Sequence, residues 1–260
     1  METLRVSSRL DQPPSPVRTD LAVERYVPVA IRRRKLILRS VLASVICAAG
    51  VGSVDPIAAI AQRGAAKLNT SVIVVPLDPI PDKTEEVAVV RFTSVSDGAT
   101  FDIDADGVLD LVAWPTKSSR LAFLAVDINR NGKIDDGREL LGAQTLPGAS
   151  DGFTALATLD PAVRSGSIAA SDPLYERLLL WTDANVNGRC DEGELRPVRE
   201  VLAKIGLGYF AVDQKDKESN AIHNRGWSIA VQDFTGRADD RIRPLFEVSP
   251  LIRLAPKRQQ

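Results

Sequence analysis

The chain carries one acidic string three times, as FDIDADG, VDINRNG and TDANVNG. Each copy has oxygen-bearing side chains at alternate positions and a glycine closing the run, and nothing else in the 260 residues constrains the backbone as much. The alternation aims successive oxygens toward one point, and the glycine lets the chain turn sharply behind them. Such a chain folds as tight polar loops between short apolar elements.

The order of the oxygens points to a hard divalent cation. A calcium loop of this kind takes ligands from positions 1, 3 and 5, a glycine at 6, a backbone carbonyl at 7, an acid at 9 that often acts through water, and a bidentate Glu at 12. The loop starting at Asp183 meets the whole pattern: Asp183, Asn185, Asn187, Gly188, the Arg189 carbonyl, Asp191 and Glu194. In the loop starting at Asp127, the residues Asp127, Asn129, Asn131, Gly132, Lys133 (through its carbonyl) and Asp135 fall in place. Its position 12 is Arg138, and the acid follows one residue later at Glu139. The loop starting at Asp102 offers Asp102, Asp104, Asp106, Gly107, the Val108 carbonyl and Asp110, but position 12 is Ala113. The spacing therefore predicts a graded set of sites: complete at 183, offset at 127, and completed by water at 102. Seven oxygens suit Ca2+ better than the octahedral demand of magnesium. Residues 160–172 keep Gly166 and Ile168 in phase but place Ala162, Arg164 and Ala169 where ligands belong, which reads as a loop that has lost its site.

Composition narrows the remaining chemistry. An apolar content of 44% is enough to build a core. The first 61 residues carry nine Lys/Arg against five Asp/Glu, and the rest carries 24 against 29. A mildly acidic domain without a basic, aromatic groove is not expected to bind nucleic acid. Two cysteines, Cys47 and Cys190, and the lone His223 offer no disulfide framework and no Cys/His zinc site.

Arg32, Arg33, Arg34 and Lys35 precede an apolar run at 41–54 that ends at Asp55-Pro56. That run is shorter than the roughly 20 residues a membrane-spanning helix needs. With Ala59-Ile60-Ala61 offering a small-x-small cleavage site, residues 32–61 read as a signal peptide. An uncleaved anchor is the alternative, and it would be the chain's one contact with a membrane. Residues 1–31 read as a leader or an over-long start. Lipid attachment at Cys47 is disfavoured by the bulky Ile46 before it. Either way, the remainder is expected in the periplasm or at the cell surface.

Residues 62–84, with Pro76, Pro79 and Pro81, read as a linker. A calcium-binding domain is expected at 85–208, a β-rich extension of it at 209–255, and a tail at 256–260. Residues 87–92 read as a strand. Residues 152–159 and 174–180 read as helices capped by Asp151 and Asp172, and 194–205 as a third helix ended by Gly206. Strand-like runs follow at 209–212, 227–231 and 245–248. The predicted fold class is α+β: EF-hand-like helix-loop-helix repeats joined by short β-bridges at position 8, followed by a small antiparallel β-rich part. Those bridges would pair Leu109 with Ile134 and Ile168 with Cys190, which makes Cys190 an apolar bridge residue rather than a redox thiol. Trp114, Trp181 and Phe101 sit at core-like positions and read as packing residues, and His223 as a turn or strand surface residue.

The strings FDIDADG with Trp114, LAVDINRNGKIDDGRELLG, GFTALATLD, LLLWTDANVNGRCDEGEL and LAKIGL, in that order and followed by a β-rich ending near 224–246, resemble the EF-hand-like calcium-binding module of RTX-type exported bacterial proteins and their stand-alone relatives. The resemblance spans roughly 93–248 and implies calcium at the positions named above. Lys117, Ser118 and Ser119 stand where the family has an acidic pair, the 160–172 loop lacks its ligands, and glycine-rich nonapeptide repeats are absent, so a toxin or lipase reading has no support. Some relatives cleave themselves at an Asp-Pro bond. Here residues 90–100 contain no such dipeptide, and Asp160-Pro161 and Asp172-Pro173 stand elsewhere, so self-cleavage is not expected.

Two functions remain open. In one, the ion stabilises an exported structural or interaction domain, because a ligand that binds the folded state stabilises it. In the other, the chain is a calcium-dependent hydrolase acting on an envelope polymer. No Ser/His/Asp set or carboxylate pair outside the loops supports an enzyme, so none is expected.

Overall fold

The computed structural model describes residues 70–80, 84–159, 166–231 and 242–255. The segments read as leader, signal peptide and tail lie outside these residues, as do residues 160–165 of the ligand-poor loop.

Twelve strands and one α-helix occupy the described residues: β1 (Val72–Pro76), β2 (Ala99–Phe101), β3 (Asp110–Val112), β4 (Leu121–Val126), α1 (Gly152–Leu159), β5 (Ser167–Ala169), β6 (Leu178–Trp181), β7 (Leu195–Pro197), β8 (Leu202–Gly206), β9 (Phe210–Lys215), β10 (Ala221–Ala230), β11 (Ile242–Ser249) and β12 (Ile252–Arg253). Nine of the strands form one antiparallel sheet in the order β5-β8-β10-β11-β1-β4-β6-β7, with β9 also paired to β10. The other three form a small sheet, β12-β3-β2.

Covering both faces of the large sheet explains the sequence of its middle strands. Every residue of β1 (VIVVP) and β4 (LAFLAV) is buried, so neither strand shows polar alternation. Successive side chains still point to opposite faces. Val72, Val74 and Phe123 join Phe101, Trp114 and Trp181 on one side, and Ile73, Val75 and Leu124 join Phe153 and Leu156 of α1 on the other. Asp151 caps α1 as expected: its Oδ1 accepts from Thr154 N–H at 2.7 Å and its carbonyl from Ala155 N–H at 3.0 Å.

The architecture overturns the helix-loop-helix reading. Residues 174–180 form a short 3-10 turn at Tyr175–Arg177 followed by β6. Residues 194–205 contain β7, a 3-10 turn at Val198–Glu200 and most of β8. The apolar spacing of Leu195, Val198, Val201, Leu202 and Ile205 fits a helix locally, but short apolar runs are ambiguous between helix and strand. Pairing decides the matter here: Trp181 faces Leu195, and Ile205 faces both Ser228 and Ile168. The expected strand at 87–92 begins as a 3-10 turn, Glu86–Val89. β10 and β11 do not form an appended β-rich part, since they lie inside the large sheet between β8 and β1. β1, within the stretch read as linker, is a central buried strand.

Candidate metal centre

Each acidic string connects two antiparallel segments rather than two helices. The Asp102 loop joins β2 to β3, where Phe101 faces Asp110. The Asp183 loop joins β6 to β7, where Trp181 faces Leu195 and Thr182 N–H donates to Glu194 O at 3.0 Å. The Asp127 loop leaves β4 and returns at Leu140, which bridges Ala125, with Val126 N–H donating to Glu139 O at 2.8 Å.

The three loops share one backbone design. The first Asp accepts from the N–H of positions 5 and 6. For Asp102 these are Asp106 (3.0 Å) and Gly107 (2.9 Å), for Asp127 they are Asn131 (3.2 Å) and Gly132 (2.8 Å), and for Asp183 they are Asn187 (3.2 Å) and Gly188 (2.7 Å). Position 4 is left-handed in all three, at φ 58° for Ala105, 61° for Arg130 and 62° for Val186. A β-branched residue such as Val186 is disfavoured there. That the same turn is held by such different residues locates its cause in the Asp and Gly framework.

The offset acid of the Asp127 loop lands in the same place as the regular one. Glu139 accepts from Ile128 N–H at 2.9 Å through Oε1 and from Asp135 N–H at 2.8 Å through Oε2. Glu194 accepts from Ala184 N–H at 2.9 Å and Asp191 N–H at 3.1 Å in the same way. Positions 2 and 9 are the donors in both loops. The extra residue is taken up where the Asp127 loop leans on the Asp102 loop: Asp136 bridges Asp102, and Gly137 N–H donates to Asp102 O at 2.8 Å. A Cβ on Gly137 would stand 1.9 Å from Ile103 O, so only glycine fits. Glu139 is 3% exposed and Glu194 9%, which makes both closing carboxylates parts of the interior.

The loops differ in what fills them. Asp191 Oδ2 accepts from the side-chain amides of Asn185 (2.9 Å) and Asn187 (2.8 Å), and Asp135 Oδ2 accepts likewise from Asn129 (2.9 Å) and Asn131 (2.6 Å). The two amides hold the Asp191 carboxyl below its ordinary range. In the Asp102 loop carboxylates replace the amides. Asp102, Asp104 and Asp106 each place an oxygen within 4.8 Å of the others'. Burial, followed by the charges of Asp106 and Asp110, pushes the Asp104 carboxyl up. Asp104 Oδ1 and Asp110 Oδ2 are buried and accept no hydrogen bond. Buried oxygens without donors are rare because each forfeits its hydration, and a divalent cation held by Asp102, Asp104 and Asp106 would supply Asp104 Oδ1 with a partner. The residues of this loop therefore fit a bound cation.

The tryptophans also do more than pack. Trp114 Nε1–H donates to Asp183 Oδ2 at 2.9 Å, and Trp181 Nε1–H donates to Glu194 Oε2 at 3.3 Å. Their rings pack against Phe101, Phe123 and each other in tilted and edge-on contacts at centroid distances of 4.8–5.6 Å. The first and last acids of the Asp183 loop are thus anchored directly to the core. A buried indole needs an acceptor for its N–H, and that need was the available signal in the sequence.

The loops are paired differently from the expectation. Leu109 is 60% exposed and Ile168 pairs with Ile205, so neither Leu109 with Ile134 nor Ile168 with Cys190 forms a bridge. Instead, Cys190 lies against the Ile134 backbone, the two position-8 residues of the Asp127 and Asp183 loops. Burial pushes the Cys190 thiol up. Gly188 backs onto β2, and a Cβ there would stand 2.3 Å from Thr100 O. All three loops therefore abut one another.

Fold and site together define a class: an antiparallel β domain that presents carboxylate loops of a single design on adjoining hairpins. The chain belongs to the SPM domain family, whose profile matches residues 87–242. It is also 31% identical over 169 residues to the iron-regulated protein FrpA of Neisseria meningitidis serogroup C. That match covers 63% of this chain and 14% of the relative, so the chain spans a small part of the longer protein. Among the described residues no helix is long and apolar enough to cross a membrane.

Proposed function

We propose that the chain binds calcium through the Asp102, Asp127 and Asp183 loops, and that the ion stabilises an exported structural or interaction domain in the periplasm or at the cell surface. The observation that carries this reading is the shared loop backbone, repeated on three hairpins and aimed at oxygens that converge. The orphaned oxygens of Asp104 and Asp110 support it independently. The resemblance to the calcium-binding module of exported bacterial proteins agrees with both. Calcium suits loops that offer more oxygens than an octahedral shell takes. Ion binding to the folded state alone would stabilise the domain after export, where calcium is plentiful.

The test is calcium titration of the full chain from a chelator-treated start, followed by tryptophan fluorescence and melting temperature. Trp114 and Trp181 hold two ligands of the Asp183 loop, so their emission should change with its occupancy, and the melting temperature should rise. If millimolar calcium moves neither signal, the reading is wrong. The double variant Asp183→Ala, Glu194→Ala should lose the fluorescence response, and its retention would move the site to another loop.

A further inference from the structure

Residues 251–255 are held to the small sheet at several points and to the main body at Asn220. Leu251 O accepts from Ala113 N–H at 2.8 Å, and Leu251 N–H donates to Asn220 Oδ1 at 2.8 Å. β12 pairs with β3, matching Ile252 to Val112 and Arg253 to Leu111. The last tie is Ala255 N–H, which donates to Asp110 Oδ1 at 2.8 Å. Asp110 is therefore both the ninth residue of the acidic loop and the clasp of the C-terminal segment.

The segment also walls a cavity of about 720 Å³. Leu251, Ile252 and Leu254 line one side, and Ser71, Asp151 and His223 of the main body contribute to the other. His223 lies on β10, half-buried, with its Nε2 2.9 Å from Ser249 Oγ. Shifting residues 252–255 would open the cavity without breaking a pairing of the large sheet, because β12 pairs only with β3 and the tie to Asn220 is made at Leu251.

The state of Asp110 decides whether the clasp holds. Its side chain is 3% exposed, one oxygen holds Ala255, and the other has no hydrogen-bond partner. Asp102, Asp104 and Asp106 share its loop. Without a cation, like charges push Asp110 away from them and fray the hairpin end at which Phe101 faces it. A cation bound by Asp102, Asp104 and Asp106 reverses that force and steadies the neighbouring carboxylate on which Ala255 rests.

We infer that an ion in the Asp102 loop latches residues 251–255 onto β3 and so closes one wall of the cavity. The inference rests on the calcium reading of that loop. It makes the loop with the weakest sequence match the regulatory one. By linkage the coupling is reciprocal: a docked segment raises the affinity of the loop for its ion, and an undocked one lowers it.

Hydrogen exchange on the full chain, with calcium and with chelator, tests the latch beside the fluorescence response of the Asp183 loop. Calcium should slow exchange of the amides of residues 251–255 by about tenfold or more. The double variant Asp104→Asn, Asp106→Asn removes both the ligands and the repulsion, so exchange at 251–255 should no longer respond to calcium, while the fluorescence response is kept. Exchange at 251–255 that ignores calcium while the fluorescence responds overturns the latch and leaves the calcium reading standing. Silence in both signals removes the calcium reading and the latch with it. Should the double variant fail to fold, Ala255→Pro removes the clasping N–H, with Ala255→Gly, which keeps it, as the control for backbone effects. It should weaken calcium binding at the Asp102 loop by about fivefold, read by calorimetry, and unchanged binding there would overturn the proposal.

Discussion

The Asp183 and Asp102 loops run through the same turn with opposite fillings. In the Asp183 loop two asparagine amides quiet the acid at position 9, and two indoles quiet the acids at positions 1 and 12. In the Asp102 loop, three carboxylates converge with Asp110 close by, and two buried oxygens have no donor. The first loop is held by neutral donors. The second concentrates charge. Backbone design and electrostatic filling are thus separable, and completeness of the ligand list does not rank the loops by their need for metal.

The largest effect should come from the joint between loops. Gly137→Val drives a side chain into Ile103 O and should destabilise the fold by about 3 kcal/mol or more, measured by urea unfolding. Gly132, with open space around its Cβ position, should tolerate bulk better and pay only for its φ of 80°. A mild Gly137 variant would break the claim that the Asp102 and Asp127 loops share a rigid seam.

Next come the closing acids. Glu139→Gln and Glu194→Gln each leave one buried backbone N–H without its carboxylate acceptor, which should cost about 1–3 kcal/mol and weaken calcium binding in calorimetry by similar factors. Unequal losses, with Glu139→Gln silent, would show that the offset acid is not the counterpart of the regular one.

Trp114→Phe keeps the ring and deletes the N–H that serves Asp183, so a loss of about 1.5 kcal/mol is expected. Thermal melts in chelator would measure it, and no loss would mean that Asp183 is held by its backbone donors alone.

Asp110→Asn should act with two signs. In chelator it relieves repulsion and raises stability by a few tenths of a kcal/mol; in calcium it weakens the Asp102 site. Destabilisation in both conditions would break the distinction between a charged and a quiet loop.

The smallest effect is pH dependence in calcium-free buffer. The Asp104 carboxyl lies above its unfolded value, so the folded state binds more protons and this group's contribution to stability grows as pH falls through that raised range. Asp191 lies below its unfolded value, and its contribution is present above that value and lost as pH falls through the lowered one. Carboxyl NMR titration would read both, and shifts in the same direction would erase the contrast.

The oxygens, the glycines and the cap of α1 were legible in the sequence because each works within a few residues of itself. Asp183 reaches Gly188 and Asp151 reaches Thr154 whatever the rest of the chain does. The flanking elements were not legible. Leu195 and Leu202 fit a helical face as well as a strand, and only pairing with β6 and β10 makes strands of them. β1 was visible as a run of four apolar residues, yet its surrounding prolines made a linker the nearer reading.

The sequence by itself determined the loop chemistry: which oxygens occur, at what spacing, and where only glycine allows the turn. Tertiary structure alone decided that the loops sit on hairpins, that Glu139 matches Glu194 despite its offset, that Ile134 meets Cys190, and that Asp110 holds Ala255. The reason is range. Ligand spacing is a property of a dozen consecutive residues, whereas antiparallel pairing and buried acceptors join residues up to 176 positions apart, and no local pattern encodes which of them will meet.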